Sequence, residues 1–179
     1  MAGGRLKPLE QLDGAQQAAS SPAHHAALAA SAGTGKTYVL TARVLRLLLR
    51  GAPPQSILCL TFTKAGAAEM AQRLHRRLAH WVRLDAKILE KDLFALTGEK
   101  VVPDQVDYAR TLFARVLEAP GGGLRIQTIH AFAQSLLAAF PAEAGLTPGF
   151  RPLEGREEKL LVRTVLADML VRAEGGGDL

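Results

Sequence analysis

One cysteine in 179 residues excludes an internal disulfide. Cys59 lies inside an apolar run and reads as a small core residue, and this sparing use of cysteine fits a reducing cytoplasm. Aromatic residues are few, 5% of the chain, and its single tryptophan, Trp81, reads as core. No apolar run approaches the ~18 residues that a membrane span needs, so no membrane partner is expected. The opening Met1-Ala2-Gly3-Gly4-Arg5 has no apolar stretch behind it and does not read as a secretory signal. Acids are outnumbered, 17 against 22 Lys and Arg, and the net charge of +5 suggests an anionic partner. The length suits one domain, or one domain and part of another, and the 48% hydrophobic share is ample for a core.

What is present centres on Ala30-Ser31-Ala32-Gly33-Thr34-Gly35-Lys36-Thr37. Gly33 and Gly35 permit a tight turn whose N–H groups point at an anion. Lys36 can reach the β- and γ-phosphates, and the Thr37 hydroxyl can ligate Mg²⁺. A helix is predicted over Tyr38 to Arg50, with its positive end toward the same anion. Its apolar side holds Val39, Leu40, Val44, Leu45, Leu47 and Leu48, with Arg43 and Arg46 on the polar side. Gly51 caps it, and Pro53-Pro54 stop it. Ala30 stands where the usual phosphate-loop pattern has its first glycine.

Upstream, residues 1–12 read as a loose lead-in, and Asp13 to Ala19 as a short helix capped by Asp13. Gln16 or Gln17 there can donate to and accept from an adenine edge; an ordinary exposed helix residue is the other reading. Ala26 to Ala30 is the expected first core strand, because a phosphate loop of this kind follows a strand.

Downstream, Ile57 to Thr61 reads as a parallel strand buried on both faces. Thr61-Phe62-Thr63-Lys64 follows, then a helix from about Ala65 to Leu84 with Met70, Leu74, Leu78, Trp81 and Val82 as its apolar stripe. The segment from Lys64 to Arg83 carries Lys64, Arg73, Arg76, Arg77 and Arg83 against the single acid Glu69. Hydroxyls and Lys64 can hold phosphates there while Phe62 stacks on a base. A solvated face is the other reading for Arg73, Arg76 and Arg77. Two amphipathic helices, Asp85–Thr97 and Pro103–Glu118, read as packing or spacer. The second carries the stripe Val106, Ala109, Leu112, Phe113, Val116, Leu117. Leu124 to Ile129 is the third strand candidate and runs into a helix ending near Phe140-Pro141. Thr128 and His130 sit at its C-terminal end, where open α/β sheets bind ligands; His130 reads equally as structural, and no metal partners stand at set spacing from it. A Pro/Gly-rich linker, 141–152, precedes a last helix over Gly155–Arg172.

In order and spacing these motifs resemble the N-terminal part of UvrD-type superfamily 1 DNA helicases. Gln16 with Ala19 is similar to their adenine-reading motif, Ala30–Thr37 to motif I, and Thr61–Met70 with Arg73 to motif Ia. Thr128-Ile129-His130-Ala131-Phe132 is similar to the T-x-H-[SA]-F motif lining the DNA path. The stretches Ile57–Lys64, Ile126–Phe132 and Phe140–Gly145 resemble the AddA type of helicase–nuclease subunit, which processes double-strand breaks. The resemblance implies an α/β P-loop fold, a partial RecA-like lobe over 1–140, and a linker plus the first helix of an inserted helical subdomain over 141–179. It implies ATP and Mg²⁺ as cofactors, bound at Gln16, Ala30–Thr37 and Tyr38, with Lys36 and Thr37 catalytic. DNA, single- or double-stranded, would meet Thr61, Phe62, Thr63, Lys64, Arg73, Thr128 and His130. An AddB-like partner subunit, 3′→5′ polarity and a bacterial cytoplasmic location are implied with it.

Departures from the family pattern are Lys64 in the place of Asn, Ala65 in the place of Lys, Gly66 in the place of Ala and Ala133 where Cys is frequent. No Asp-Glu pair ends an apolar strand, so this chain by itself is expected not to hydrolyse ATP. A non-motor P-loop protein and a catalytically incomplete binding fragment stand as the alternatives.

Overall fold

The computed structural model describes residues 6–29, 35–153 and 155–174. The chain divides into two units, 1–130 and 131–179.

The first unit is an α/β arrangement. It begins with α1 (Gly14–Ala19), where Asp13 Oδ1 accepts from the Gln16 N–H at 2.7 Å and Gln16 Oε1 accepts from the Asp13 N–H at 3.2 Å. This reciprocal cap is what an Asp three residues before a Gln provides. Helix α2 (Lys36–Leu49) follows, ending at Gly51 with φ 86°. Strand β1 (Leu58–Thr61) leads into α3 (Lys64–Arg83), then come α4 (Ala86–Thr97), α5 (Pro103–Glu118) and β2 (Arg125–Thr128). Strands β1 and β2 pair in parallel, Leu58 opposite Arg125 and Thr61 opposite Thr128. The core lies among the helices, where Leu45, Leu48, Leu74, Leu78, Trp81 and Leu93 are buried.

Several expectations change. Residues 26–29 form no strand, and Ala30 lies outside the described residues. Alanines cover little of a pleated surface, and no ladder partner reaches them among the described residues. Strand β1 is not buried on both faces. Cys59 and Ile126 turn toward the core, while Leu58 and Leu60 are 39% and 45% exposed on the other face. Burial pushes the Cys59 thiol above its ordinary pKa, so it stays protonated at neutral pH and suits a packing role.

Leu40, Val82 and Leu117, expected in apolar stripes, are exposed. Arg46, expected on the polar side of α2, is buried. The lead-in is not loose from residue 6 onward: Leu12 is buried, and its N–H donates to the Ala95 carbonyl. The Leu9 N–H donates to Asp92 Oδ1 at 2.9 Å, and the Lys7 carbonyl accepts from Arg77 at 3.0 Å.

Helix α6 (Ile129–Ala139) begins directly after β2 and runs into the second unit, and α7 (Arg156–Glu174) carries no buried residue. Among the described residues no helix is long and apolar enough to cross a membrane.

Candidate nucleotide and nucleic-acid site

Residues Ala30, Ser31, Ala32, Gly33 and Thr34, the body of the expected phosphate loop, lie outside the described residues. The loop's exit is described. Gly35 is the N-cap of α2 with φ 86°, a left-handed conformation that favours glycine. Lys36 and Thr37 are therefore the first two helical residues. No acid stands in that first turn, so the helix end keeps its positive character. These features fit a phosphate group, with Lys36 as the charge and the Thr37 hydroxyl as an oxygen ligand.

Two other expected nucleotide residues already have partners. Gln16 uses its Oε1 in the α1 cap. The Tyr38 hydroxyl donates to the Glu10 carbonyl, and burial raises its pKa, with Glu10 and Asp92 adding and Arg77 opposing.

The parallel register brings together the motifs that follow β1 and β2. Thr61 and Thr128 are paired residues at the C-terminal ends of the two strands, on the same face. Thr128 is buried. Beyond them stand Phe62, 83% exposed, Thr63 and Lys64, both exposed, and His130, exposed at the start of α6. Thr63 caps α3, its Oγ1 accepting from the Gly66 N–H at 3.0 Å. A lone aromatic ring beside hydroxyls and an acid-free helix start can stack on a base and hold phosphates.

Gly66 has a reason to be glycine here. A Cβ on it would lie 3.0 Å from both Thr61 Oγ1 and Thr63 Oγ1. Gly66→Ala is expected to forfeit the ~1 kcal/mol that helix propensity would add, because displacing Thr63 loses a cap of about the same size. Unfolding midpoints of the two proteins check this, and a full ~1 kcal/mol gain would show that the threonines yield freely.

The arginines of α3 divide. Arg73 pairs with Glu69 one turn back, with both side chains well exposed. Arg77, expected on the same open face, instead bonds Asp92 Oδ2 at 3.0 Å, and its side chain is largely buried. Asp92 is 1% exposed and also accepts from the Trp81 indole N–H at 3.1 Å. The free basic surface of α3 is thus smaller than its charge count suggests. Lys64, Arg76 and Arg83 lie outside the ion pairs found among the described residues.

Sequence reasoning missed the role of Asp92, although a signal exists. Leu89, Asp92, Leu93 and Leu96 share one helical stripe, as do Leu74, Arg77, Leu78 and Trp81. An ionisable residue inside an apolar stripe calls for a buried partner.

Residues 12–174 match the UvrD/REP helicase N-terminal domain family. Three similar proteins each bear the name of an ATP-dependent helicase/nuclease subunit. One, from Leuconostoc mesenteroides, is 35% identical over 87% of this chain and 11% of its own length. Another, from Latilactobacillus sakei, is 31% identical over 82% of this chain and 14% of its own length. The third, from Pediococcus pentosaceus, is 29% identical over 86% of this chain and 11% of its own length. The chain thus spans 11–14% of the length of these curated relatives.

Proposed function

The chain belongs to the UvrD/REP helicase N-terminal domain family, and on that premise we propose that it is the ATP-binding N-terminal part of a 3′→5′ DNA helicase. The whole polypeptide would be a helicase–nuclease subunit with a role in double-strand break repair and recombination, beside an AddB-like partner. The lobe would be RecA-like over 1–140, with 141–179 leading into an inserted helical subdomain. The name that these relatives share supports the helicase–nuclease reading.

The observation that carries the proposal is the pairing of Thr61 with Thr128, which brings both strand-end motifs to the C-terminal end of the sheet. Bound ATP and Mg²⁺ would supply the reactive phosphoanhydride and its charge neutralisation. Lys36 would hold the β- and γ-phosphates, and Thr37 would give the metal one hydroxyl ligand. A Mg²⁺ ion held there would fill further positions of its shell with phosphate oxygens and water. Gln16 would read the base, provided its amide leaves the α1 cap or uses its N–H₂ group.

For the strand, Phe62 would stack on a base while Thr61, Thr63 and Lys64 meet phosphates and His130 lies alongside; Thr128, which is buried, would shape the strand end beside Thr61. Arg73 would contribute after exchanging Glu69 for a phosphate, a small step for an exposed pair. The chain's binding to a labelled oligothymidine, read by fluorescence anisotropy, tests this reading. Phe62→Ala is expected to weaken binding roughly tenfold, as losing one base stack does, and to leave MgATP affinity unchanged. Unchanged oligonucleotide affinity would remove Phe62 from the interface, and no binding by the parent chain would overturn the DNA reading.

A further inference from the structure

Two arginines of α2 hold the stretch that runs from α1 toward the phosphate-loop segment. Arg43 donates through Nη1 to the carbonyls of Ala19 at 3.2 Å and Ser21 at 2.7 Å, and through Nη2 to the carbonyl of His24 at 2.7 Å. Arg46 donates through Nη1 to the Gln17 carbonyl at 2.9 Å and to Ser20 Oγ at 2.7 Å. Ser20 is fully buried, and Arg46 is 8% exposed.

The oxygens involved explain the choice of residue. Helix α1 has six residues and buries none of them, so it is too short to hold itself in place. Of its last four carbonyls, those of Gln16 and Ala18 accept from the Ser20 and Ser21 N–H groups, those of Gln17 and Ala19 accept from the arginines, and that end is partially negative. A guanidinium supplies both the missing donors and the opposing charge. Its planar fork lets Arg43 reach three carbonyls on three residues, which a single ammonium at one point does less well. Among the described residues neither arginine has a carboxylate in an ion pair. Both stand on the same rigid helix as Lys36 and Thr37, two to three turns along it.

We infer that Arg43 and Arg46 are positioning residues: they lock α1, with Gln16, to the helix that carries Lys36 and Thr37, and so set discrimination between bases. The inference rests on the nucleotide reading above. It assigns the two arginines no contact with nucleotide. Their effect is to keep the base-reading side chain at a constant offset from the phosphate end of α2.

Calorimetry on the 179-residue chain with MgATP, MgGTP and magnesium tripolyphosphate tests it, comparing the parent with Arg43→Lys and Arg46→Lys. Either variant is expected to lose the preference for ATP over GTP by about tenfold, the size of one well-placed hydrogen bond, with tripolyphosphate affinity unchanged. An unchanged ATP/GTP ratio overturns the inference. So does an equal loss for all three ligands, which marks a purely structural role. A parent chain that binds none of the three overturns the nucleotide reading itself, and the inference with it. If circular dichroism shows a variant unfolded, hydrogen exchange on the parent decides. MgATP is expected to slow exchange of the amides of residues 16–24 beyond what tripolyphosphate does, and equal slowing by the two ligands overturns the inference.

Discussion

Asp92→Ala is expected to lower the unfolding free energy by about 3–5 kcal/mol, the cost of removing one partner from a buried ion pair. Three donors lose their acceptor at once: the Arg77 guanidinium, the Trp81 indole N–H and the Leu9 backbone N–H. Arg77 keeps only the Lys7 carbonyl, a neutral partner for a charge that is mostly out of water. The loss should also release residues 7–12 from α3 and α4, because the Leu9 bond is among those fastening them. Denaturant unfolding measures the first effect, and amide exchange across residues 7–12 the second. Asp92→Leu combined with Arg77→Met should recover part of the loss, since no unpaired charge then remains. Recovery should stay incomplete because the indole and Leu9 N–H groups would still lack acceptors. A drop below about 1 kcal/mol for the alanine variant would mean that water replaces the carboxylate, and the hub would lose its structural importance.

Lys36→Ala is expected to abolish DNA-stimulated ATP turnover in a helicase polypeptide of the relatives' length that carries this segment. The loss should reach at least about two to three orders of magnitude, the size found when one donor to a developing transition-state charge is removed. In the present chain the same change should weaken MgATP and tripolyphosphate alike, roughly tenfold, because the lost contact is a charge-assisted bond to phosphate. Stability should hardly change, since Lys36 sits in the first turn of α2 and outside the buried core. Undiminished turnover would place the phosphate elsewhere and end the P-loop assignment.

The two predictions rest on features of very different legibility. Lys36 and Thr37 stand out in the sequence because a glycine, a lysine and a threonine ahead of an amphipathic run can be read from neighbouring residues alone. The α1 cap is legible for the same reason, since Asp13 and Gln16 are three positions apart. So are β1, a short apolar run, and β2, where Ile126 alternates with Arg125 and Gln127; both end in threonine with a helix close behind. Asp92 is not legible in this way. Its stripe shows that it turns inward, but its partners lie 11, 15 and 83 positions away. Arg43 and Arg46 are hidden for the same reason: their spacing permits a solvent-facing side, and only packing shows α1 and its oxygens lying against it.

The sequence by itself determined the helices, the strands β1 and β2 and their order, though not the strand expected over 26–30, which residues 26–29 do not form. Caps, helical period, turn glycines and strand-end hydroxyls act over a few residues, and their energies are decided before the chain folds back on itself. Only the tertiary structure decided which charges are paired in the interior, that residues 7–12 are strapped down, that Leu58 and Leu60 are left uncovered, and that Thr61 faces Thr128. Each of these depends on which distant groups come within bonding distance, and the same local pattern is compatible with several such arrangements. Burial selects among them, because an ionised or polar group taken out of water needs a partner wherever along the chain that partner lies.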